Sequence, residues 1–197
     1  MIVKKYRTKI NTMKVEQVLF IHGGGEDGYE ADTLLADSLQ KELGDSYAVL
    51  NPQIHSNDTD PDFGWLNQIG QEISSVGNEI ILVAHSFGAS MLLKYLSENR
   101  VQKNIIGLFL IAPPYWSGDE DWKQGIKLHK SFADAIPKDI PIFLYQCQDD
   151  EEVPCDHFTR YKQHLPLATF REIESGGHQF NNDLTLVAND IKNRILP

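Results

Sequence analysis

The chain is poor in cysteine, in long apolar runs and, beyond its first residues, in positive charge. Its two cysteines, Cys147 and Cys155, are too few among 197 residues for a disulfide framework. No uninterrupted apolar run approaches the roughly 18 residues that span a membrane. The basic residues 1–9 also lack the apolar segment of a secretory signal. We therefore expect a cytoplasmic protein with free thiols and no membrane partner.

Positive charge is concentrated at the start of the chain. The first 14 residues hold five Lys or Arg and no acidic residue, so the rest carries 28 acidic side chains against 13 basic ones. An excess of negative charge repels phosphate groups. Nucleic acid and anionic membrane surfaces are therefore not expected as partners.

Apolar, strand-like runs alternate along the chain with segments of helical periodicity. Expected strands cover 15–21, 47–50, 79–84, 105–111, 140–146 and 169–173, and expected helices cover 31–43, 65–76, 89–99 and 184–195. Strands separated by helix-length segments pair in parallel through right-handed crossovers. The pattern predicts an α/β fold, a three-layer α/β/α sandwich with a mostly parallel sheet of about six strands. A chain of this length leaves no room for a large cap domain.

The chain shows no repeat, low-complexity tract or Pro/Gly-rich linker that would divide it. We expect one domain over residues 14–197. Residues 1–13 are interpreted as an N-terminal extension or an edge strand, and either Met1 or Met13 is the start of the protein.

Residues 84–88, Ala-His-Ser-Phe-Gly, indicate a nucleophile elbow. An apolar strand ends there and a helical segment begins at once, an arrangement that pushes Ser86 above the sheet edge in a strained conformation. The N–H of Phe87 would then lie at a helix N-terminus, where it can stabilise an oxyanion. The first glycine usual in this motif is Ala84 here, which adds only a methyl group.

Two loops after later expected strands offer partners for Ser86. An acidic turn contains Asp150, the expected acid, and Asp149, the alternative; a solvated turn is the competing interpretation of its four adjacent carboxylates. Two glycines precede His178 and allow a tight loop that carries the imidazole to the serine as a general base. The order Ser86, Asp150, His178 is the order used by α/β-hydrolases.

The second oxyanion donor is expected from the glycine run 23–25 after the first strand. Consecutive glycines let backbone N–H groups approach an oxyanion; Gly24 is the expected donor, with Gly23 or Gly25 as alternatives. The loop also matches the spacing of a dinucleotide fingerprint, but no acid ends the next strand, so no cofactor is expected. The Asp-rich residues 58–62 lack the glycine and glutamate of a calcium loop, and no cluster has zinc spacing, so no metal is expected.

Aromatic residues follow the fourth expected strand. Tyr115 and Trp116 are candidates for substrate binding, and the alternative is that they pack the next helix against the sheet. Acidic residues are also frequent in the strand-end loops, at positions 58, 60, 62, 119–121, 151 and 152. We expect this acidic rim to disfavour anionic substrates.

On these motifs the chain resembles the α/β-hydrolase superfamily, in particular the compact branch typified by retinoblastoma-binding protein 9 and the bacterial YdeN proteins. The resemblance runs from about residue 14 to the C-terminus. It implies Ser86 as nucleophile, Asp150 as acid and His178 as base of a serine hydrolase that cleaves a small ester, thioester or amide through an acyl-enzyme.

A small-molecule substrate is the partner that this resemblance implies, and the oligomeric state stays open. Two alternatives remain at this point. One is a non-catalytic binding or regulatory protein on a hydrolase scaffold. The other is an acyltransferase, or a C–C bond hydrolase, that uses the same serine.

Overall fold

The computed structural model describes residues 15–116 and 124–194, in which parallel strands alternate with helices. The strands are β1 (Glu16–Ile21), β2 (Tyr47–Leu50), β3 (Glu79–His85), β4 (Asn104–Ile111), β5 (Ile142–Cys147) and β6 (Thr169–Ile173). The helices are α1 (Gly28–Leu43), α2 (Trp65–Ser75), α3 (Ser86–Glu98), α4 (Phe132–Ala135), α5 (Cys155–His164) and α6 (Thr185–Lys192). The sheet has the order β2-β1-β3-β4-β5-β6, with every neighbouring pair parallel. No helix in the two described stretches is long and apolar enough to cross a membrane.

Helices cover both faces of the sheet. Leu19 and Ile21 of β1 belong to the core under α2, α3, α4 and α5, whereas Val18 and Phe20 belong to the core under α1 and α6. All four side chains are fully buried. A strand buried on both faces is apolar at every position, which is why continuous apolar runs mark the central strands in the sequence. The expected three-layer α/β/α architecture is confirmed.

Several elements differ from the sequence-based expectation. α1 begins at Gly28 and not at residue 31, and α4 has no expected counterpart. α3 begins at Ser86 and not at residue 89, so the serine is itself the first residue of the helix. β5 begins at Ile142, two residues after its expected start. The pattern does not predict α5 as a separate helix, because only Phe158 and Tyr161 are buried in its polar sequence. Residues 1–13 and the expected helix end at 195 lie outside the described residues.

The direction of strand addition reverses at β1, which lies between β2 and β3. In a parallel sheet such a reversal opens a crevice at the carboxyl ends of the strands, because the loops of the two neighbouring strands leave in opposite directions. The loop after β1 and the junction after β3 therefore meet at one place. The loops after β5 and β6 lie further along the same edge.

The first turn of α3 packs directly on the end of β1, and this contact depends on Gly88. A Cβ atom at Gly88 would lie 2.1 Å from the carbonyl oxygen of His22 and 2.9 Å from that of Ile21. Both oxygens belong to the backbone at the end of a buried strand, where close packing leaves no room for adjustment. The absence of a side chain at Gly88 thus sets how closely α3 approaches β1.

Gly88→Ala is expected to lower the free energy of unfolding by about 1–3 kcal/mol, the usual cost of an extra methyl group in a packed site. Gly70→Ala is the matched control, because the added Cβ in α2 meets the side chain of Tyr95, at 2.9 Å, which can move aside. Urea denaturation followed by tryptophan fluorescence measures both variants. Equal stability of the two would contradict the assigned role of Gly88.

Candidate active site

β3 runs into α3 with no loop between them, and Ser86 occupies the junction. Its φ of 50° lies in the left-handed region that residues with a side chain rarely adopt. This strained conformation turns the chain sharply, so the side chain stands off the carboxyl edge of the sheet. Ala84, where the motif usually has glycine, is a fully buried part of β3.

Ser86, His178 and Asp150 form a continuous chain of hydrogen bonds. His178 Nε2 lies 2.9 Å from Ser86 Oγ, and His178 Nδ1 lies 3.0 Å from Asp150 Oδ2. Because a carboxylate accepts hydrogen bonds, Nδ1 carries the ring proton and Nε2 accepts from the serine hydroxyl. The structure therefore brings together the three residues that the sequence motifs single out, from the ends of β3, β5 and β6.

Asp150 is held by hydrogen bonds from its own loop and from β5. Its Oδ1 accepts the N–H groups of Glu152 and Val153, each at 2.9 Å, and its Oδ2 accepts from the amide of Gln146 at 2.8 Å. Burial raises the pKa of this carboxyl, but the hydrogen bonds from His178 and Val153 outweigh it. The pKa of Asp150 consequently lies below its ordinary value, and the group is ionised at neutral pH.

Asp149 holds the main chain of the loop that carries His178. Its carboxylate accepts the N–H groups of Gly176 and Gly177, each at 2.9 Å. Gly177 has a φ of 61°, a left-handed conformation that glycine adopts without strain. The two backbone hydrogen bonds keep the pKa of Asp149 below its ordinary value. Of the two adjacent acids, Asp150 contacts the imidazole and Asp149 contacts the backbone that precedes it.

The glycine loop after β1 packs against the junction of β3 and α3. The N–H of Gly23 donates to the buried carboxylate of Asp32 at 2.6 Å, so this donor is already used. A Cβ atom on Gly24 would lie 3.1 Å from the side chain of Phe87, which places the loop backbone directly on the residue after Ser86. Among the three glycines, Gly24 is thus the one in contact with Phe87.

His22 supports the start of this loop. Its Nε2 accepts the N–H of Ile54 at 2.8 Å, and its Nδ1 lies 2.6 Å from the carbonyl oxygen of Gly23. An imidazole that accepts at Nε2 is neutral and donates from Nδ1. Burial lowers the pKa of His22, in agreement with a neutral ring. The sequence gives no signal for this role, because Ile54 is 32 residues away.

A cleft of about 460 Å³ opens beside Ser86. Phe63 and Phe87 form an aromatic wall, in which the rings meet edge to face with centroids 5.9 Å apart. Phe63 has a φ of 57°, so its side chain is presented from a strained backbone. The sequence does not mark Phe63 as a residue of the cleft, because it lies in an Asp-rich loop before α2 with no motif around it. The cleft is lined by Gly24, Gly25, Glu26, Ser56, Asp58, Phe63, Ser86 and Phe87.

Tyr115 and Trp116 do not belong to the lining of this cleft. Tyr115 is buried, with its hydroxyl oxygen 3.0 Å from Nε2 of His164 in α5. Trp116 donates from Nε1 to the hydroxyl of Ser90 in α3, at 3.3 Å. Of the two, Tyr115 also meets the next α-helix, since its ring centroid lies 6.3 Å from that of Phe132 in α4. The neighbouring residues 117–123 lie outside the described residues.

Known proteins resemble this chain in sequence and in fold. A family model described as "Serine hydrolase" matches residues 35–185. YdeN of Bacillus subtilis (strain 168) is 24% identical over 179 residues, which cover 83% of this chain and 85% of YdeN.

Solved structures share the fold over most of its length. The ydeN gene product of B. subtilis has a TM-score of 0.65 at 21% identity, and the match covers 90% of this chain and 97% of the ydeN product. Est1E from Butyrivibrio proteoclasticus has a TM-score of 0.68 at 18% identity, and the match covers 94% of this chain and 88% of Est1E. The thioesterase domain from the curacin biosynthetic pathway has a TM-score of 0.67 at 15% identity, covering 92% of each. The expected α/β-hydrolase fold is confirmed.

Asp150→Asn is expected to flatten the pH dependence of stability. Because the folded-state pKa of Asp150 lies below the unfolded value of about 3.9, its contribution is present above that pH and is lost as the pH falls through the folded pKa. The difference in free energy of unfolding between wild type and variant should therefore be constant above about pH 5 and shrink as the pH falls below about 4. Urea denaturation in steps of pH measures it, and a difference that does not shrink at low pH would contradict the assignment.

Proposed function

The chain belongs to the serine hydrolase family and has an α/β-hydrolase fold, and we propose that it cleaves a small ester, thioester or amide through an acyl-enzyme. The proposal is carried by the hydrogen-bonded chain from Asp150 through His178 to Ser86. A serine hydroxyl is a weak nucleophile and needs an adjacent base that takes its proton. Here the base is a histidine whose tautomer is set by a carboxylate.

In the first half-reaction the serine becomes acylated. Ser86 Oγ forms a bond to the substrate carbonyl carbon while its proton moves to Nε2 of His178. Asp150 stabilises the imidazolium without taking up the proton, as a carboxyl with a lowered pKa would. The Nε2–H group then protonates the leaving group as the bond between that group and the carbonyl carbon breaks.

The carbonyl oxygen becomes an anion during this step, and Phe87 and Gly24 are the proposed donors to it. Phe87 is the second residue of α3, and N–H groups in the first turn of a helix have no partner within the helix. The packing of Gly24 on Phe87 supports Gly24 as the second donor, because the N–H of Gly23 is bound to Asp32. Loss of one such donor typically costs about 10²–10³ in rate.

In the second half-reaction water replaces the leaving group. His178 takes a proton from water as the oxygen attacks the acyl carbon, and it returns the proton to Ser86 as the acyl bond breaks. The carboxylic acid product leaves the resting state restored.

The cleft supports a substrate that is apolar near the reacting carbonyl and not negatively charged further out. Phe63 and Phe87 offer an apolar wall beside Ser86. Glu26 and Asp58 are exposed at the rim of the same cleft. A carboxylate on the substrate would meet like charges there, a repulsion that salt weakens.

Ser86→Ala and His178→Ala are expected to abolish labelling by a fluorophosphonate probe, which reacts only with an activated serine. Each should also lower kcat on an activated ester by on the order of 10⁴–10⁶. Ser97→Ala, a serine in the last turn of the same helix, is the matched control and should label as wild type does. A folded wild-type protein that does not label would favour the binding-protein alternative.

A neutral ester is expected to be cleaved faster than a matched ester that carries a carboxylate at the far end of its acyl chain. The ratio of kcat/KM should be on the order of fivefold at low salt, since one surface charge contact is worth about 1 kcal/mol in water. High salt and Glu26→Gln should both reduce the ratio. Asp45→Asn should not, because this exposed residue precedes β2 and lies at the amino ends of the strands. Equal rates for the two esters at low salt would end this part of the proposal.

A further inference from the structure

A buried carboxylate, that of Asp32 in α1, joins two loops and the end of β3 at the proposed active site. The side chain is 1% exposed. Its Oδ2 accepts the N–H of Gly23 at 2.6 Å and lies 2.8 Å from Nδ1 of His85. Its Oδ1 accepts from the side-chain amide of Gln179 at 3.2 Å. These partners belong to the glycine loop, to the end of β3 and to the loop after β6.

His85 extends this connection to the backbone of His178. Its Nε2 lies 3.0 Å from the main-chain carbonyl oxygen of His178, and the two ring centroids are 4.7 Å apart. The His85 side chain is also 1% exposed, so water does not compete for either nitrogen. A carboxylate and a carbonyl oxygen only accept hydrogen bonds, so with Asp32 ionised these contacts fit a ring that donates from both nitrogens. Asp32 supplies the balancing negative charge.

The lowered pKa of Asp32 agrees with an ionised carboxylate that accepts from His85. Burial raises the pKa of its carboxyl, but the hydrogen bond and the charge of His85, together with the N–H of Gly23, outweigh burial and hold the pKa below its ordinary value. A buried ion pair pays a large desolvation penalty and is often no more stabilising than apolar residues of similar size. The location of this pair between two loops of the site and the end of β3 therefore points to a role in positioning those segments.

We propose that Asp32 and His85 are positioning residues for the catalytic base: Asp32 orients His85, whose Nε2–H fixes the main-chain carbonyl of His178. This inference rests on the proposed function, because it takes His178 as the base. Asp150 orients the ring of His178 through Nδ1, and His85 fixes its backbone, so the imidazole is held at two points. Loss of the second point lets Nε2 move away from Ser86 Oγ.

The same carboxylate also links the base to the oxyanion loop. Gly23, which Asp32 holds, directly precedes the proposed donor Gly24. The histidine loop and the glycine loop therefore share one anchor. A displacement of Asp32 would disturb proton transfer and oxyanion binding together.

Two amide replacements separate the two hydrogen bonds of His85. In His85→Asn the amide nitrogen stands near the place of Nδ1 and meets Asp32 but not His178, whereas in His85→Gln it stands near Nε2 and reaches the His178 carbonyl. We expect kcat of His85→Asn to fall on the order of 10²-fold, as for a misplacement of about 1 Å, and kcat of His85→Gln to fall less. KM should change little in either, because His85 does not line the cleft.

Side-chain ¹⁵N NMR reports the proton positions without reference to turnover. In wild type both nitrogens of His85 should show the shifts of protonated nitrogens. In Asp32→Asn, Nδ1 should become an acceptor, because the new amide donates to it while its oxygen retains the N–H of Gly23. Asp37→Asn removes an exposed carboxylate from the same helix and should leave the His85 spectrum and kcat unchanged.

Three results would overturn the proposal: an unaltered kcat in His85→Asn, an equal loss in folded His85→Asn and His85→Gln, or a wild-type His85 with one unprotonated nitrogen. Thermal unfolding establishes that each variant is folded, and if either is not, the spectra of wild type and Asp32→Asn decide. Failure of the proposed function appears separately, as a wild type that does not react with the fluorophosphonate probe while its His85 spectrum is as expected.

Discussion

The direct passage of β3 into α3 is the constraint on which the rest of the site depends. Because no loop residue separates them, Ser86 takes a left-handed backbone conformation and α3 begins at the serine itself. Gly88 then lets the helix approach the end of β1, which brings the backbone of Gly24 against Phe87. A longer connection would relax the serine and move the helix N-terminus away from it. The strained backbone of Ser86 and the lack of a side chain at Gly88 thus act together to place the N-terminus of α3 against the glycine loop.

Much of the fold is predictable because its central strands are buried on both faces. The buried stretches of β1, β3 and β4 are apolar on both faces, and such runs are visible in the sequence without any knowledge of their neighbours in the sheet. α5 is harder to predict, because only two of its side chains are buried and the rest of its sequence is mostly polar. A helix or strand is therefore easier to predict from apolar patterning when more of its side chains are buried.

The site residues follow a different rule. Ser86 and His178 can be predicted as candidates from the residues beside them. A strand–helix junction surrounds the serine, and a glycine turn precedes the histidine. Asp149 and Asp150 cannot be told apart in this way, since they are neighbours with the same chemistry and differ only in what they contact. Asp32 is harder still, because its contact with His85 spans 53 residues of chain and leaves no periodic pattern.

The separation of Ser86 from His178 by 92 residues has a consequence for biosynthesis. Chains fold as they emerge, amino end first, and β6, which precedes His178, lies at the edge of the described sheet. In the proposed mechanism, Ser86 therefore has no base within reach until β6 and the loop that carries His178 have been added. A chain that ends before His178 would thus carry the strand–helix junction of Ser86 but not the imidazole that faces it.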